Sequence, residues 1–158
     1  MSPEYLAGFF DGEGCIDVQY MYSKQAPGVF YVRPRLRIAL AEVGRELLVD
    51  LHRTFGGHLY NRAAITEKQN SSVSWELCDK VGIASVLRQI TPHLVIKREQ
   101  ALLVMWWLEN ASGRYGGRGH RTQMTEARKL FAEELKLMKQ DPQRLSERAV
   151  AAIEPLMR

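Results

Sequence analysis

Glu13 is the residue whose type and position most clearly suggest chemistry in this sequence. It lies between Gly12 and Gly14, where the helical pattern that begins at Ser2 comes to its end. A carboxylate at the C-terminus of a helix meets the negative end of the helix dipole, which is unfavourable unless a cation is bound there. The position of Glu13 therefore indicates a cation site.

Two glycines on the same helix indicate how such a site is completed. Gly8 and Gly12 lie four residues apart and share one face of a helix. Each glycine costs a helix interior roughly 1 kcal/mol relative to alanine, and close contact with a second helix is a reason to keep both. One carboxylate is a poor cage for a metal ion, but two copies of this helix packed along their glycines bring two Glu13 carboxylates together.

The stretch from Leu6 to Gly14 resembles the LAGLIDADG motif of homing endonucleases. The motif is matched in identity at Leu6, Ala7, Gly8, Asp11 and Gly14, and in residue type at Phe9, Phe10, Gly12 and Glu13. The resemblance continues in segments 34–38, 47–57, 75–77 and 91–101, and so covers about residues 2–111. The last segment is similar to the family's Pro-x-Leu-x-x-Lys-x-x-Gln stretch, with Lys97 at its lysine.

This resemblance implies a homodimeric, metal-dependent DNA endonuclease. Phosphodiester hydrolysis needs a metal to activate water and to neutralise charge on the phosphate. The resemblance implies that Glu13 and the backbone carbonyl of Gly12 hold Mg²⁺ (or Mn²⁺). It also implies a dimer interface formed by Ala7, Gly8, Asp11 and Gly12, in which Asp11 is interpreted as a structural hydrogen-bonding residue.

The same resemblance places Lys97 at the family's basic active-site position. A lysine beside the scissile phosphate stabilises developing negative charge or polarises the attacking water. If the register is shifted by one residue, Arg98 takes this role instead.

Periodicity predicts the elements that position these residues. They are a helix from Ser2 to about Gly12, strands over 15–21, 30–40, 58–63 and 73–77, and helices over 43–55, 81–90, 96–110, 122–139 and 145–156. The fold class is α+β, an αββαββα sandwich in which helices cover one face of a four-stranded antiparallel sheet. With 158 residues we expect one domain over 1–158, comprising a core over 2–111 and a helical region over 122–157.

The uncovered face of this sheet is predicted to bind double-stranded DNA. Arg33, Arg35 and Arg37 alternate along the second strand and so leave the sheet on one side. A two-stranded ribbon fits the major groove, where arginine pairs with guanine and glutamine with adenine. Only one of the neighbours Asn61 and Arg62 can face DNA squarely. The full predicted set is Gln19, Arg33, Arg35, Arg37, Asn61, Arg62, Ser74 and Glu76.

Leu40 and Gly44 depart from the family pattern. Related enzymes often carry polar or charged residues just after the second strand, and these help to order active-site water. Neither Leu40 nor Gly44 can do this, although Glu42 and Arg45 lie nearby in the sequence. Slow cleavage, or none, is therefore an open alternative.

Composition restricts the classes of partner. The net charge of +4 and the pI of about 9.2 favour an anionic partner. No apolar run approaches 18 residues and no signal-peptide pattern is present, so we expect a protein that is neither membrane-bound nor secreted. Cys15 and Cys78 form no CxxC pair or disulfide framework, which favours an intracellular setting.

The sequence thus predicts a site-specific endonuclease that cuts double-stranded DNA as a homodimer on a long pseudo-palindromic target. One alternative is an RNA-splicing maturase, whose partner would be intron RNA. The other is a DNA-binding regulator of the same fold that has lost catalysis, which Leu40 and Gly44 favour.

Overall fold

A computed structural model of the chain describes residues 1–22, 24, 30–63, 71–111 and 118–157. Its elements are α1 (Pro3–Glu13), β1 (Gly14–Tyr22), β2 (Phe30–Ala41), α2 (Arg45–Phe55), β3 (His58–Arg62), β4 (Ser72–Leu77), α3 (Lys80–Ile90), α4 (Arg98–Asn110), α5 (Arg118–Gln140) and α6 (Ser146–Ile153). The predicted αββαββα order, followed by C-terminal helices, is confirmed. The segments that join the two strands of each hairpin lie mostly outside the described residues.

The four strands form one sheet in the order β1-β2-β4-β3. β4 pairs antiparallel with β2 on one side and with β3 on the other. In this register Ile38 and Leu59 both lie opposite Trp75, so that their side chains share the apolar face. The predicted four-stranded antiparallel sheet is confirmed.

The chain divides into two compact units that interleave along the sequence. The first unit contains Met1–Ile16 and Arg35–Val95, and the second contains Asp17–Pro34 and Ile96–Arg158. The expectation of a single domain, with a core over 2–111 and a helical region over 122–157, stays a prediction.

In the first unit, helices cover one face of the strands. α2 contacts β3 and β4, and α3 contacts both α1 and α2. α1 begins where the Ser2 side chain accepts a hydrogen bond from the Tyr5 amide, with Pro3 in the first turn. The buried side chains of this unit include Phe10, Leu36, Ile38, Leu48, Val73, Trp75, Ile83 and Leu87.

Two glycines set the turn that brings β3 back beside β4. Gly56 and Gly57 have φ angles of 73° and 87°, a conformation that L side chains rarely adopt. A Cβ on Gly57 would lie 2.5 Å from the backbone oxygen of Glu76, and the indole of Trp75 donates a hydrogen bond of 2.8 Å to the Gly56 carbonyl. This Gly-Gly turn after α2 therefore lets the chain approach the backbone of Glu76 closely.

The second unit contains a helical core. Trp107 of α4 stacks on Phe131 of α5 with ring centroids 4.2 Å apart, as expected for an apolar helix face rather than an aromatic binding platform. Glu99 accepts hydrogen bonds of 2.7 Å from both the amide and the hydroxyl of Ser146 at the start of α6.

α5 begins at Arg118, four residues before the predicted helix start at Thr122. Residues 112–117 lie outside the described part of the chain. Within the described residues, no helix combines the length and the apolar character needed to span a bilayer.

Candidate functional site

One face of α1 is open. Gly8 and Gly12 are exposed, and a Cβ built on either glycine meets no neighbouring atom of the described chain within 4 Å. Tyr5 on the same helix is 58% exposed and stacks on Phe9 with ring centroids 6.4 Å apart. This surface of small and aromatic residues leaves room for another helix to approach closely.

Ala7 and Asp11 do not lie on the open face of α1. Ala7 is completely buried within the chain, and its place in the dimer interface stays a prediction. Its burial follows from helical geometry, because Ala7 lies on the same side of α1 as the buried Leu6 and Phe10. Asp11 accepts a hydrogen bond of 2.7 Å from the Val95 amide, which agrees with its interpretation as a structural residue.

Glu13 is the last residue of α1, and its side chain is exposed. Among the described residues, no group of three or more His, Cys, Asp or Glu side chains could hold a metal ion. Glu13 and the carbonyl of Gly12 supply hard oxygen donors of the kind that Mg²⁺ prefers. They fit the ion as part of a ligand set that needs further oxygen atoms from a second copy or from a phosphate.

Lys97 immediately precedes α4 and is half-buried, whereas Arg98 is the first residue of that helix and is exposed. Lys97 belongs to the second unit. Its predicted catalytic role stays a prediction.

The alternation predicted along β2 is present. Pro34, Leu36 and Ile38 are buried, while Arg33 is exposed and Arg35 and Arg37 are half-buried. On β1, Gln19 is exposed, as predicted, and its neighbour Tyr20 is 51% exposed.

A shallow hollow of about 490 Å³ lies on the open face of the sheet in the first unit. Five of the predicted DNA-binding residues line it, and Asn61 is one of them. The complete lining is Arg37, Ala39, Tyr60, Asn61, Arg62, Ser72, Ser74 and Glu76. The polar face predicted for β2 and β4 is therefore continuous with β3.

The register decides between Asn61 and Arg62. Arg62 lies opposite Ser72, whose side chain is on the open face, whereas Asn61 lies opposite the buried Val73. The Asn61 side-chain oxygen also accepts a hydrogen bond of 2.8 Å from Nη2 of Arg45. Arg62 therefore points onto the open face of the sheet, whereas the side chain of Asn61 is held by Arg45.

Tyr60, Ala39 and Ser72 were absent from the predicted set. Tyr60 is 51% exposed and lies opposite Ser74, and Ala39 lies opposite Ser74 on the other side. The sequence was sufficient to predict the exposure of Tyr60, because an inward position for the apolar Leu59 directs Tyr60 and Arg62 outward by strand alternation.

Arg45 forms a small network at the end of β2. Its guanidinium donates through Nε and Nη2 to the Glu42 carboxylate, and the Nη2 bond is 3.0 Å long. The hydrogen bond from Arg45 lowers the pKa of Glu42 and, by the same contact, raises the pKa of Arg45. Arg45 therefore binds both Glu42 and Asn61.

Leu40 and Gly44 pack against each other. A Cβ on Gly44 would lie 2.5 Å from Cδ1 and 3.0 Å from Cβ of Leu40. The leucine thus fills the space beside the glycine, and the two departures from the family pattern form one packing contact.

Gly44→Ala is expected to lower the free energy of unfolding by about 1 kcal/mol, at the lower end of overpacking costs, because the crowding atoms belong to one flexible side chain. Leu40→Ala should lower it separately by loss of packing. The double variant should lose about 1 kcal/mol less free energy of unfolding than the sum of the two single losses. Urea denaturation of the wild type, both single variants and the double variant measures this difference. Simple additivity of the two costs would show that the contact is unimportant.

The chain belongs to the LAGLIDADG endonuclease family, because a model of that family matches residues 6–95, more than half of its length. Over 103 residues it is 29% identical to DNA endonuclease I-CvuI of Chlorella vulgaris. That alignment covers 64% of this chain and 60% of the relative, so it spans less than two thirds of the relative's length.

Solved structures establish the same fold. I-CvuI in complex with the I-CreI target, in the presence of Mg and with the DNA not cleaved, matches with a TM-score of 0.70, 21% identity and coverage of 99% of this chain and 94% of that chain. The homing endonuclease I-TnaI matches with a TM-score of 0.65, 19% identity and coverage of 99% and 98%. I-SmaMI, bound to uncleaved DNA in the presence of calcium, matches with a TM-score of 0.61, 21% identity and coverage of 98% of this chain but 49% of that chain.

Proposed function

We propose that this protein is a site-specific endonuclease that cuts both strands of a long pseudo-palindromic DNA target as a homodimer. The observation that carries the proposal is α1, which ends in the exposed carboxylate of Glu13 and exposes Gly8 and Gly12 on an open face. The family of this chain supports the same activity, since it is a family of endonucleases and the relative I-CvuI is a DNA endonuclease.

The proposed dimer follows because a single copy supplies too few ligands for a metal ion. One exposed carboxylate cannot enclose a metal ion, and two α1 helices packed along their glycines place two Glu13 side chains at the same end of the helix pair. I-SmaMI supports this proposal, because this chain covers only about half of that protein, which leaves room for a second unit of the same size in one polypeptide.

Glu13 and the Gly12 carbonyl are the groups that would hold Mg²⁺ (or Mn²⁺). When bound, the metal activates water and neutralises charge on the scissile phosphate. Lys97 is proposed to stabilise negative charge at that phosphate. The presence of Mg in crystals of the related I-CvuI supports a divalent ion of this kind.

The open face of the sheet is proposed to bind the duplex. Its outward arginines attract phosphate and reach base edges, and the net charge of +4 favours association with a polyanion. A substrate of this kind supports an intracellular location, as do Cys15 and Cys78, which are not joined in a disulfide.

Selection from a random duplex library tests the proposal directly. The purified protein with Mg²⁺ should cut a small set of related, roughly two-fold symmetric sequences, and EDTA should stop cleavage without stopping binding. Cleavage of every sequence at the same rate would contradict site specificity.

A catalytically inactive DNA-binding regulator is the second candidate, because Leu40 and Gly44, which depart from the polar family pattern, form an apolar packing contact. Selection of a symmetric sequence by binding, with no cleavage in Mg²⁺ or Mn²⁺, would identify it. Preference for structured intron RNA over any duplex would instead identify a maturase.

A further inference from the structure

Glu76 is an acid in the middle of a surface proposed to face DNA. β4 lies between β2 and β3, and Glu76 has Arg37 opposite it on one neighbouring strand and His58 on the other. Its side chain lines the hollow on the open face. A carboxylate is repelled by the phosphate backbone, so on this face it requires a compensating interaction.

Arg35 holds this carboxylate. Nη1 of Arg35 donates a hydrogen bond of 3.2 Å to Oε2 of Glu76, and each side chain is only 19% exposed. Such a shielded pair is screened less by salt than an exposed one, and each partner restricts the other's orientation. The pair therefore presents a hydrogen-bond donor and an acceptor side by side on the open face.

The major-groove edge of a G·C base pair has the complementary order. Guanine offers the acceptors N7 and O6, and the adjacent cytosine offers the N4 amino group as a donor. An A·T pair in the same orientation would place the thymine O4 acceptor against the carboxylate. An arginine and a carboxylate fixed beside each other thus match a G·C base pair and disfavour an A·T base pair.

We propose that Arg35 and Glu76 read one G·C base pair in each half of the target as a unit, an inference that rests on the proposed endonuclease function. Arg35 donates to guanine, and Glu76 accepts from the cytosine amino group. Glu76 also acts as a positioning residue, because its hydrogen bond with Arg35 orients the guanidinium.

The test is a base-preference profile, measured by binding selection in EDTA so that no DNA is cut. Glu76→Gln should lose roughly ten- to a hundredfold of discrimination at one base pair per half-site, where it should now also accept A·T, because an amide can donate to thymine O4. Arg35→Ala should lose discrimination at the same base pair. The double variant should be no less selective than either single variant, because the two residues act together.

Glu46→Gln is the matched control, since it removes the same charge from an exposed position in the first turn of α2. It should leave the profile unchanged, with at most a small, uniform gain in affinity. If Glu76→Gln does not fold, Arg35→Lys provides the same test, because lysine keeps the charge but loses the planar fork that reads guanine.

Three results would overturn the inference: an unchanged profile for Glu76→Gln, an effect as uniform as that of Glu46→Gln, or effects of Arg35 and Glu76 at different base pairs. Failure of the proposed function is distinguishable, because the wild-type protein would then leave its selected DNA uncut in Mg²⁺ or select no DNA sequence at all. A wild-type profile that is sequence-specific but lacks the G·C pair contradicts this inference alone.

Discussion

Glu13→Gln is expected to reduce DNA cleavage by about a thousandfold or more while leaving DNA affinity nearly unchanged. Glutamine has almost the same shape as glutamate but lacks the negative charge that a hard cation requires. A thousandfold loss corresponds to about 4 kcal/mol of transition-state stabilisation, within the several kcal/mol that a bound metal supplies. Single-turnover cleavage of the selected target in Mg²⁺, and equilibrium binding in EDTA, measure the two effects separately.

The same substitution should not destabilise the fold. Glu13 is exposed at the C-terminus of α1, where removal of a negative charge relieves an unfavourable interaction with the helix dipole. Glu109→Gln is a matched control, because Glu109 is an exposed acid in the last turn of α4. Both variants should melt at or slightly above the wild-type temperature, and only Glu13→Gln should lose activity. Full cleavage by Glu13→Gln would rule out Glu13 as the metal-binding residue.

The sequence was sufficient to predict the order of elements and the outward direction of the β2 arginines. Both depend on local patterns, since the period of a strand is two residues and buried Leu36 and Ile38 force their neighbours outward. The cap at Ser2 and the Gly-Gly exit after α2 are also local signals, and both are present.

What the sequence could not decide depends on contacts between distant segments. Asn61 and Arg62 are equivalent until the register with β4 places one opposite Val73 and the other opposite Ser72. The ion pair between Arg35 and Glu76 joins residues 41 positions apart. The motif likewise marks Ala7 and Gly8 as neighbours of small size, but only the packing of α1 shows that Ala7 is buried and Gly8 is open.

Gly8→Leu is expected to break the homodimer and to abolish cleavage without unfolding the protein. Within the described chain a Cβ on Gly8 meets no atom within 4 Å, so the monomer should tolerate a side chain there, and the helix gains propensity. In a dimer packed along the glycines, the added side chains meet at the point of closest approach. Overpacking costs about 1–3 kcal/mol per copy, so the dimer dissociation constant should rise roughly thirtyfold or more.

Gly8→Ala distinguishes the effect on the dimer from the effect on the monomer, because a single methyl group should stabilise the monomer while weakening the dimer. Sedimentation velocity over a range of concentrations measures the dimer, and thermal unfolding at low concentration measures the monomer. Val81→Ala, at a 75% exposed position in α3, should change neither the dimer nor cleavage. A Gly8→Leu protein that remains dimeric and active would show that the copies do not associate through α1. Glu13 would then need another source for the rest of its metal ligands.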